Sequence, residues 1–239
     1  MKRVLLTLIS CFVFIVSKPI EDENLVGDSL DINRMADSGN LLKMRNDGYK
    51  TIYIRAFDTY GLTSFDKSMA QTIHDAYKNN FQVELYMAPN SYSYKSGANQ
   101  VQSFYDGLID NQIPIDSLWV SVNHTAVWSV NTTANIALVD SVLHKARQLG
   151  FKKIGIFTNS DEWQNITGNW KDAGSDILLW YWSHTGQGKD GESAKSFDDF
   201  VPFGSWTQAE VKQYGVNELM YNTIVNRDIY NGSTSQRRN

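Results

Sequence analysis

The feature that most constrains this chain is a rhythm of strand-like runs. TIYIRAF at 51–57, QVELYMAP at 82–89, DSLWVSVN at 116–123, KKIGIFTN at 152–159 and ILLWYWS at 177–183 are short and rich in β-branched and aromatic residues. They begin at intervals of roughly thirty residues, the length of a strand plus a helix. Between them lie segments with helical periodicity: SGNLLKMRNDG at 38–48, FDKSMAQTIHDAYKNNF at 65–81, SGANQVQSFYDGLIDNQ at 96–112 and ANIALVDSVLHKARQLG at 134–150. The last places Ile136, Val139, Val142 and Leu143 on one face and ends at Gly150, a helix stop signal. An earlier strand falls within LVGDSLDIN at 24–33.

Strands alternating with helices pair in parallel, and a right-handed succession of such units in one domain of this size closes into a barrel. The predicted fold class is therefore α/β: a single (β/α)-type barrel, with the domain spanning 18–230. After 183 the rhythm changes. A Gly-rich loop, HTGQGKDGES, and a turn-like stretch, SFDDFVPFGSW, precede two final strands in VKQYG and TIVNRDIYN with little helix between them. The tail from 231 to 239 reads as frayed.

The chain opens MKRVLLTLISCFVFIVS, with Lys2 and Arg3 before an apolar run too short and too early to span a bilayer. Residues 1–17 are thus expected to be a secretory signal peptide, and the remainder to be secreted with no membrane attachment after cleavage. Of 22 Lys+Arg and 26 Asp+Glu, cleavage removes two basic residues, leaving a formal charge of −6. That acidity argues against nucleic acid as a partner. The single cysteine, Cys11, lies in the leader, so no disulfide and no cysteine-ligated zinc are expected in the mature domain; no metal or cofactor is called for. Four N-x-S/T sequons, at Asn123, Asn131, Asn165 and Asn231, fit an exported glycoprotein.

Sites of parallel barrels sit at the C-terminal strand ends. The residues expected there are Asp31, Arg55 or Phe57 or Asp58, Tyr86, Ser121 with Asn123, Thr158 with Asn159, Trp182 with His184, Gln213 and Asp228. Two acids among aromatics and amides suit a sugar: rings stack on pyranose faces while amides and carboxylates bind hydroxyls. Trp180, Tyr181 and Trp182 strengthen this reading, although large aromatics also fill cores. The predicted binding set is Asp31, Tyr86, Trp180, Trp182 and Asp228.

These pieces together resemble the nematode-type lysozymes of glycoside hydrolase family 25. The resemblance runs through SLDIN, GYKTIYIRAF, VELYMAPN with YKSGANQV, SLWVSVN, KKIGIFTNSDEW, LLWYWSH, FDDFVPFGSWTQAEVKQY and VNRDIYN, in family order over nearly the whole mature chain. It implies a barrel of five βα units followed by three strands. It also implies an Asp ending strand one, a D-x-E pair ending strand four and an Asp in the final strand. By that match Asp31 and Asp228 are kept, whereas Ser121 and Asn123 stand where the paired acids belong. The family's disulfide cysteines are absent, and Trp182 replaces a residue that is usually small.

Residues two apart on a strand point the same way, so a D-x-E pair aims both carboxyls into one cleft. One protonates the glycosidic oxygen while another stabilises the oxocarbenium-like charge or activates a neighbour. Serine and asparagine supply no titrating proton, and loss of general acid catalysis alone costs about 10²- to 10⁴-fold. The expected function is a secreted lysozyme-like protein that binds bacterial cell-wall glycan in defence, with muramidase activity lost or much reduced. Two alternatives stand beside it: an active glycosidase working through Asp31 and Asp228, with Asp58 or His184 as further substitutes, and a secreted interaction module that binds no glycan. The sequence leaves oligomeric state open. A glycan on Asn123 would exclude a polymer from the cleft, unless the barrel mouth seals that amide.

Overall fold

The computed structural model describes residues 26–114 and 116–231. The expected leader, and the tail beyond Asn231, lie outside the described residues. The elements run β1 (Val26–Ile32), α1 (Ser38–Asn46), β2 (Thr51–Arg55), α2 (Ala70–Lys78), β3 (Gln82–Met87), α3 (Gly97–Asp110), β4 (Ser117–Ser121), α4 (Thr132–Gln148), β5 (Lys153–Thr158), α5 (Ser160–Thr167), β6 (Leu178–Trp182), β7 (Val211–Met220) and β8 (Thr223–Asn231). Single 3-10 turns lie at Lys67–Met69, Thr125–Val127 and Lys189–Gly191. This is the expected order of five βα units followed by three strands. No helix among the described residues is long and apolar enough to cross a membrane.

The eight strands close in sequence order, β1 through β8 and back to β1. β1 to β7 pair in parallel, whereas β8 runs antiparallel to both β7 and β1. The C-terminal ends of the first seven strands therefore share one face with the start of β8. Helix starts are fixed locally: Asp37, Ser96, Asn131 and Asn159 each accept a hydrogen bond from a backbone N–H of the first turn of α1, α3, α4 and α5.

Strand alternation divides the apolar side chains into two cores. Outward-facing Leu30, Ile52, Ile54, Leu85, Val120 and Ile156 pack under the helices against Leu41, Met44, Ile73, Phe104, Val139 and Leu143. Inward-facing Tyr53, Tyr86, Trp119, Phe157, Trp180 and Val211 fill the barrel itself. At 3.9 Å between centroids and 18° between planes, Phe157 and Trp180 stack, and Tyr53 lies 4.6 Å from the same indole. Toward the N-terminal end, buried Glu84 pairs with Lys153 at 3.1 Å and accepts from Trp119 Nε1 at 3.0 Å. The barrel is thus an aromatic plug with a polar floor, and its upper mouth opens into a cleft.

Candidate functional site

At that mouth is a cleft of about 420 Å³, within the range of small-ligand sites. Asp31, Tyr86, Ser121, Asn123, Phe157, Trp182, Gln213 and Asn226 build its inner wall, and Arg55, Tyr60, Trp128, Glu162 and His184 reach it from the ends and loops. At the end of β4 and two residues beyond it, the strand phase does bring Ser121 and Asn123 to this wall. Both are neutral, and Asn123 is fully engaged. Its Nδ2 donates to Phe157 O at 2.9 Å and to Ser121 Oγ at 3.2 Å, while its Oδ1 accepts from Trp182 Nε1 at 2.9 Å. Its backbone carbonyl accepts from Trp128 Nε1 at 3.0 Å. Ser121 and Asn123 are therefore the centre of a hydrogen-bonded seam joining the end of β4 to β5 and β6. Trp182 also stacks on His184, with centroids 4.9 Å apart.

Opposite this seam sits Asp31, buried yet bordering the cleft. Its Oδ1 accepts from Asn226 Nδ2 at 2.9 Å and Tyr86 Oη at 3.3 Å, and its Oδ2 from Gln213 Nε2 at 2.6 Å. Burial pushes its carboxyl up to about 6, against the opposing pull of those donors and of Asp228. Asp228 lies deeper. Its Oδ1 accepts from Trp180 Nε1 at 2.9 Å, and its Oδ2 meets no N–H or O–H donor among the described residues. Burial first, and the Asp31 charge second, raise Asp228 well above the usual carboxylate range. The two carboxyls are close enough to act on each other, Asp228 lowering the Asp31 pKa and Asp31 raising that of Asp228, so the shared balance favours a protonated Asp228 beside a charged Asp31. At neutral pH the pair thus carries one buried negative charge, with the donors of Tyr86, Gln213 and Asn226 aimed at Asp31.

The placement differs from expectation in two respects. Trp180 and Asp228 are fully buried and do not border the cleft. Trp180 points inward in the same strand phase as Trp182 but one layer lower, beneath Phe157 and Tyr86. Asp228 sits opposite Ser29 and Gln213 because β8 runs downward, so the residue level with Asp31 is Asn226. Asn226 could have been identified only from the antiparallel sense of β8. Of the other candidates, Asp58 accepts from the N–H groups of Gly61 and Leu62 and so closes its own loop. Asn159 caps α5, and Thr158 Oγ1 donates to Val122 O. Phe57 is core. His184 reaches the cleft, and burial holds its imidazole below the ordinary value.

Glu162, in the first turn of α5, is a cleft acid that the sequence reading did not single out. Its Oε2 accepts from the backbone N–H and the hydroxyl of Thr125, locking the β4–α4 loop to α5. Among the sequons, Asn131 and Asn165 are exposed whereas Asn123 is buried with its amide nitrogen committed; that at Asn231 continues outside the described residues. No cluster of three or more His, Cys, Asp or Glu among the described residues could hold a metal ion.

Comparison with known proteins places this geometry. The family described as Lysozyme-like protein 1 matches residues 22–214. Lysozyme-like protein 1 of Caenorhabditis elegans is 37% identical over 202 residues, which cover 84% of this chain and 67% of that protein. A protein of Dictyostelium discoideum described as probable GH family 25 lysozyme 5 is 28% identical over 79% of this chain and 83% of its own length. The solved GH25 lysozyme of Aspergillus fumigatus superposes with a TM-score of 0.68 at 16% identity, covering 89% of this chain and 97% of that one. With a nematode relative above one-third identity and a shared eight-stranded barrel, the chain belongs to the lysozyme-like protein family, whose fold is that of the family 25 glycoside hydrolases.

Proposed function

We propose that this is a secreted lysozyme-like protein that binds bacterial cell-wall glycan in its cleft and has lost most or all muramidase activity. The observation that carries the reading is the state of Asn123: neutral, buried and bonded on both amide atoms where a hydrolase of this shape aims an acid. The remaining acids are poorly placed to compensate. Asp31 is sealed by its donors and Glu162 is clamped to Thr125. A general acid must reach the glycosidic oxygen with a proton to give, and neither group has that freedom. Binding needs less. Tyr86, Trp182, Gln213 and Asn226 border an open cleft beside the Asp31 carboxyl, the mixture of rings and polar groups that suits a sugar. Export rests on the basic and apolar leader, and the defensive role on kinship with lysozymes.

Retained hydrolysis through Asp31 is favoured by its carboxyl being raised to about 6, where a general acid works best. One paired assay separates the readings. The natural protein and a Ser121→Asp/Asn123→Glu variant are compared on the same purified cell walls between pH 4 and 8. The natural protein is expected to co-sediment with the walls and leave them intact, and the variant to clear them at least about 10²-fold faster. Clearing by the natural protein that Asp31→Asn abolishes would establish the active reading instead; failure to sediment with walls at physiological salt would remove the binding claim.

A further inference from the structure

A polymer that enters a cleft of this size must leave it over a rim, and one rim is unusual. Tyr60, Tyr92 and Tyr94 are 75%, 70% and 94% exposed, although tyrosine rings are ordinarily at least half covered. All three lie on the consecutive β2–α2 and β3–α3 loops. We propose that they form an outer platform on which a glycan chain running out of the cleft stacks ring against ring, an extension that rests on the glycan-binding reading of the cleft itself.

Three observations carry this. First, the platform is continuous with the cleft, because Tyr60 borders it and Tyr92 Oη donates to the backbone carbonyl of Trp128, another cleft residue, at 3.0 Å. Second, the loops are held before any ligand arrives. Asn90 Nδ2 donates to Thr59 O at 3.0 Å and Lys95 Nζ to Leu62 O at 2.8 Å, with the Thr63 and Ser93 hydroxyls 3.3 Å apart. Fully buried Gln100 accepts from Asn90 N and donates to Asn90 O and Lys95 O. Tyrosine loses little conformational freedom on binding, and a pinned ring on a braced loop loses less. Third, the rings are set mostly among polar groups, with Asn90, Ser91, Ser93 and Lys95 between or beside them and Leu62 the one exposed aliphatic side chain on these two loops. A protein partner would be better served by a continuous aliphatic face; a sugar, with apolar faces and hydroxyl edges, matches isolated rings in polar surroundings.

The test is the chain-length dependence of binding. Peptide-free glycan strands from purified peptidoglycan, fractionated from two to about ten sugars, are titrated into the full chain and into a Tyr92→Ala/Tyr94→Ala variant, with circular dichroism confirming that both are folded. Affinity of the natural protein is expected to rise with length and then level off. The variant is expected to bind the disaccharide unchanged but the longest strands about tenfold more weakly, 1.4 kcal/mol. Tyr92→Phe, which keeps the ring, should stay within about threefold of the natural protein. If the natural protein gains nothing with length, or the double variant gains as much as it does, the platform is refuted while the cleft reading stands. If no strand of any length binds, both fall and the tyrosine face passes to a protein partner.

Discussion

The Asp31–Asp228 pair shows how much one proton decides. Asp228 accepts from Trp180 at one oxygen and its pKa is raised by burial and by the Asp31 charge, so the neutral acid is matched in shape and in its acceptor by an asparagine whose Oδ1 faces the indole. Asp228→Asn is therefore expected to cost less than about 1 kcal/mol in denaturant unfolding at pH 7, because no buried group loses its partner. Asp228→Ala leaves the Trp180 N–H without an acceptor and opens a cavity, and should cost about 3 kcal/mol. Equal losses in the two variants would show that Asp228 is ionised in the folded protein. A residue's type was legible in the sequence here, but its protonation was not. The two carboxyls lie 197 positions apart, and their coupling exists only once β8 turns downward beside β1.

At the scale of elements, the thirty-residue rhythm in the sequence was enough for the barrel, since each buried parallel strand needs an apolar run and each crossover a helix. The short α5 escaped because SDEWQNIT has barely two turns of periodicity, and its capping signal, Asn159 with acids following, was read as a strand end. β7 proved twice the length expected, continuing past Gly215 through two register irregularities to Met220. Bulges of this kind break the alternation on which sequence reading depends. The fate of Trp180 was likewise illegible: Trp180 and Trp182 share a phase, and only the depth of the interior layer separates plug from cleft. Gly155 shows how that layer is accommodated. A Cβ there would lie 2.2 Å from Trp119 Cζ3, so β5 gives up a side chain to admit the β4 indole. Gly155→Ala is expected to push Trp119 off Glu84 and lower stability by about 1–3 kcal/mol, read from urea midpoints. An unchanged midpoint would mean that the plug has slack, which the stacked rings do not indicate.

The whole molecule combines these buried acids into a pH dependence whose sign can be derived. Asp31 is raised from 3.8 to about 6, mainly by burial, and Glu218 from 4.5 to about 7. For Glu218, burial leads and Glu192 adds to it, partly offset by Arg227 and Lys189; burial and the Asp31 charge shift Asp228 in the same direction. An acid whose folded pKa is raised binds more protons folded than unfolded between the two values, so stability falls as pH rises through that window and levels off above it. The window for Asp31 and Glu218 runs from about 4 to 7. His184 opposes them, because burial depresses its imidazole and makes protonation unfavourable to the fold, but it is one group against three. Below about pH 4 the sign reverses: Asp176, held down by Arg147, and Asp199, held down by Lys212 and Tyr181, lose their partners on protonation. The protein should therefore be most stable in mildly acidic solution, with a melting temperature higher at pH 5 than at pH 7.5. Glu218→Gln should flatten the upper part of that slope, since glutamine is uncharged throughout. A melting temperature that climbs from pH 5 to 7.5 in the natural protein would contradict the assignment of Asp31 and Glu218 as buried acids that hold their protons more tightly in the folded state than in the unfolded one.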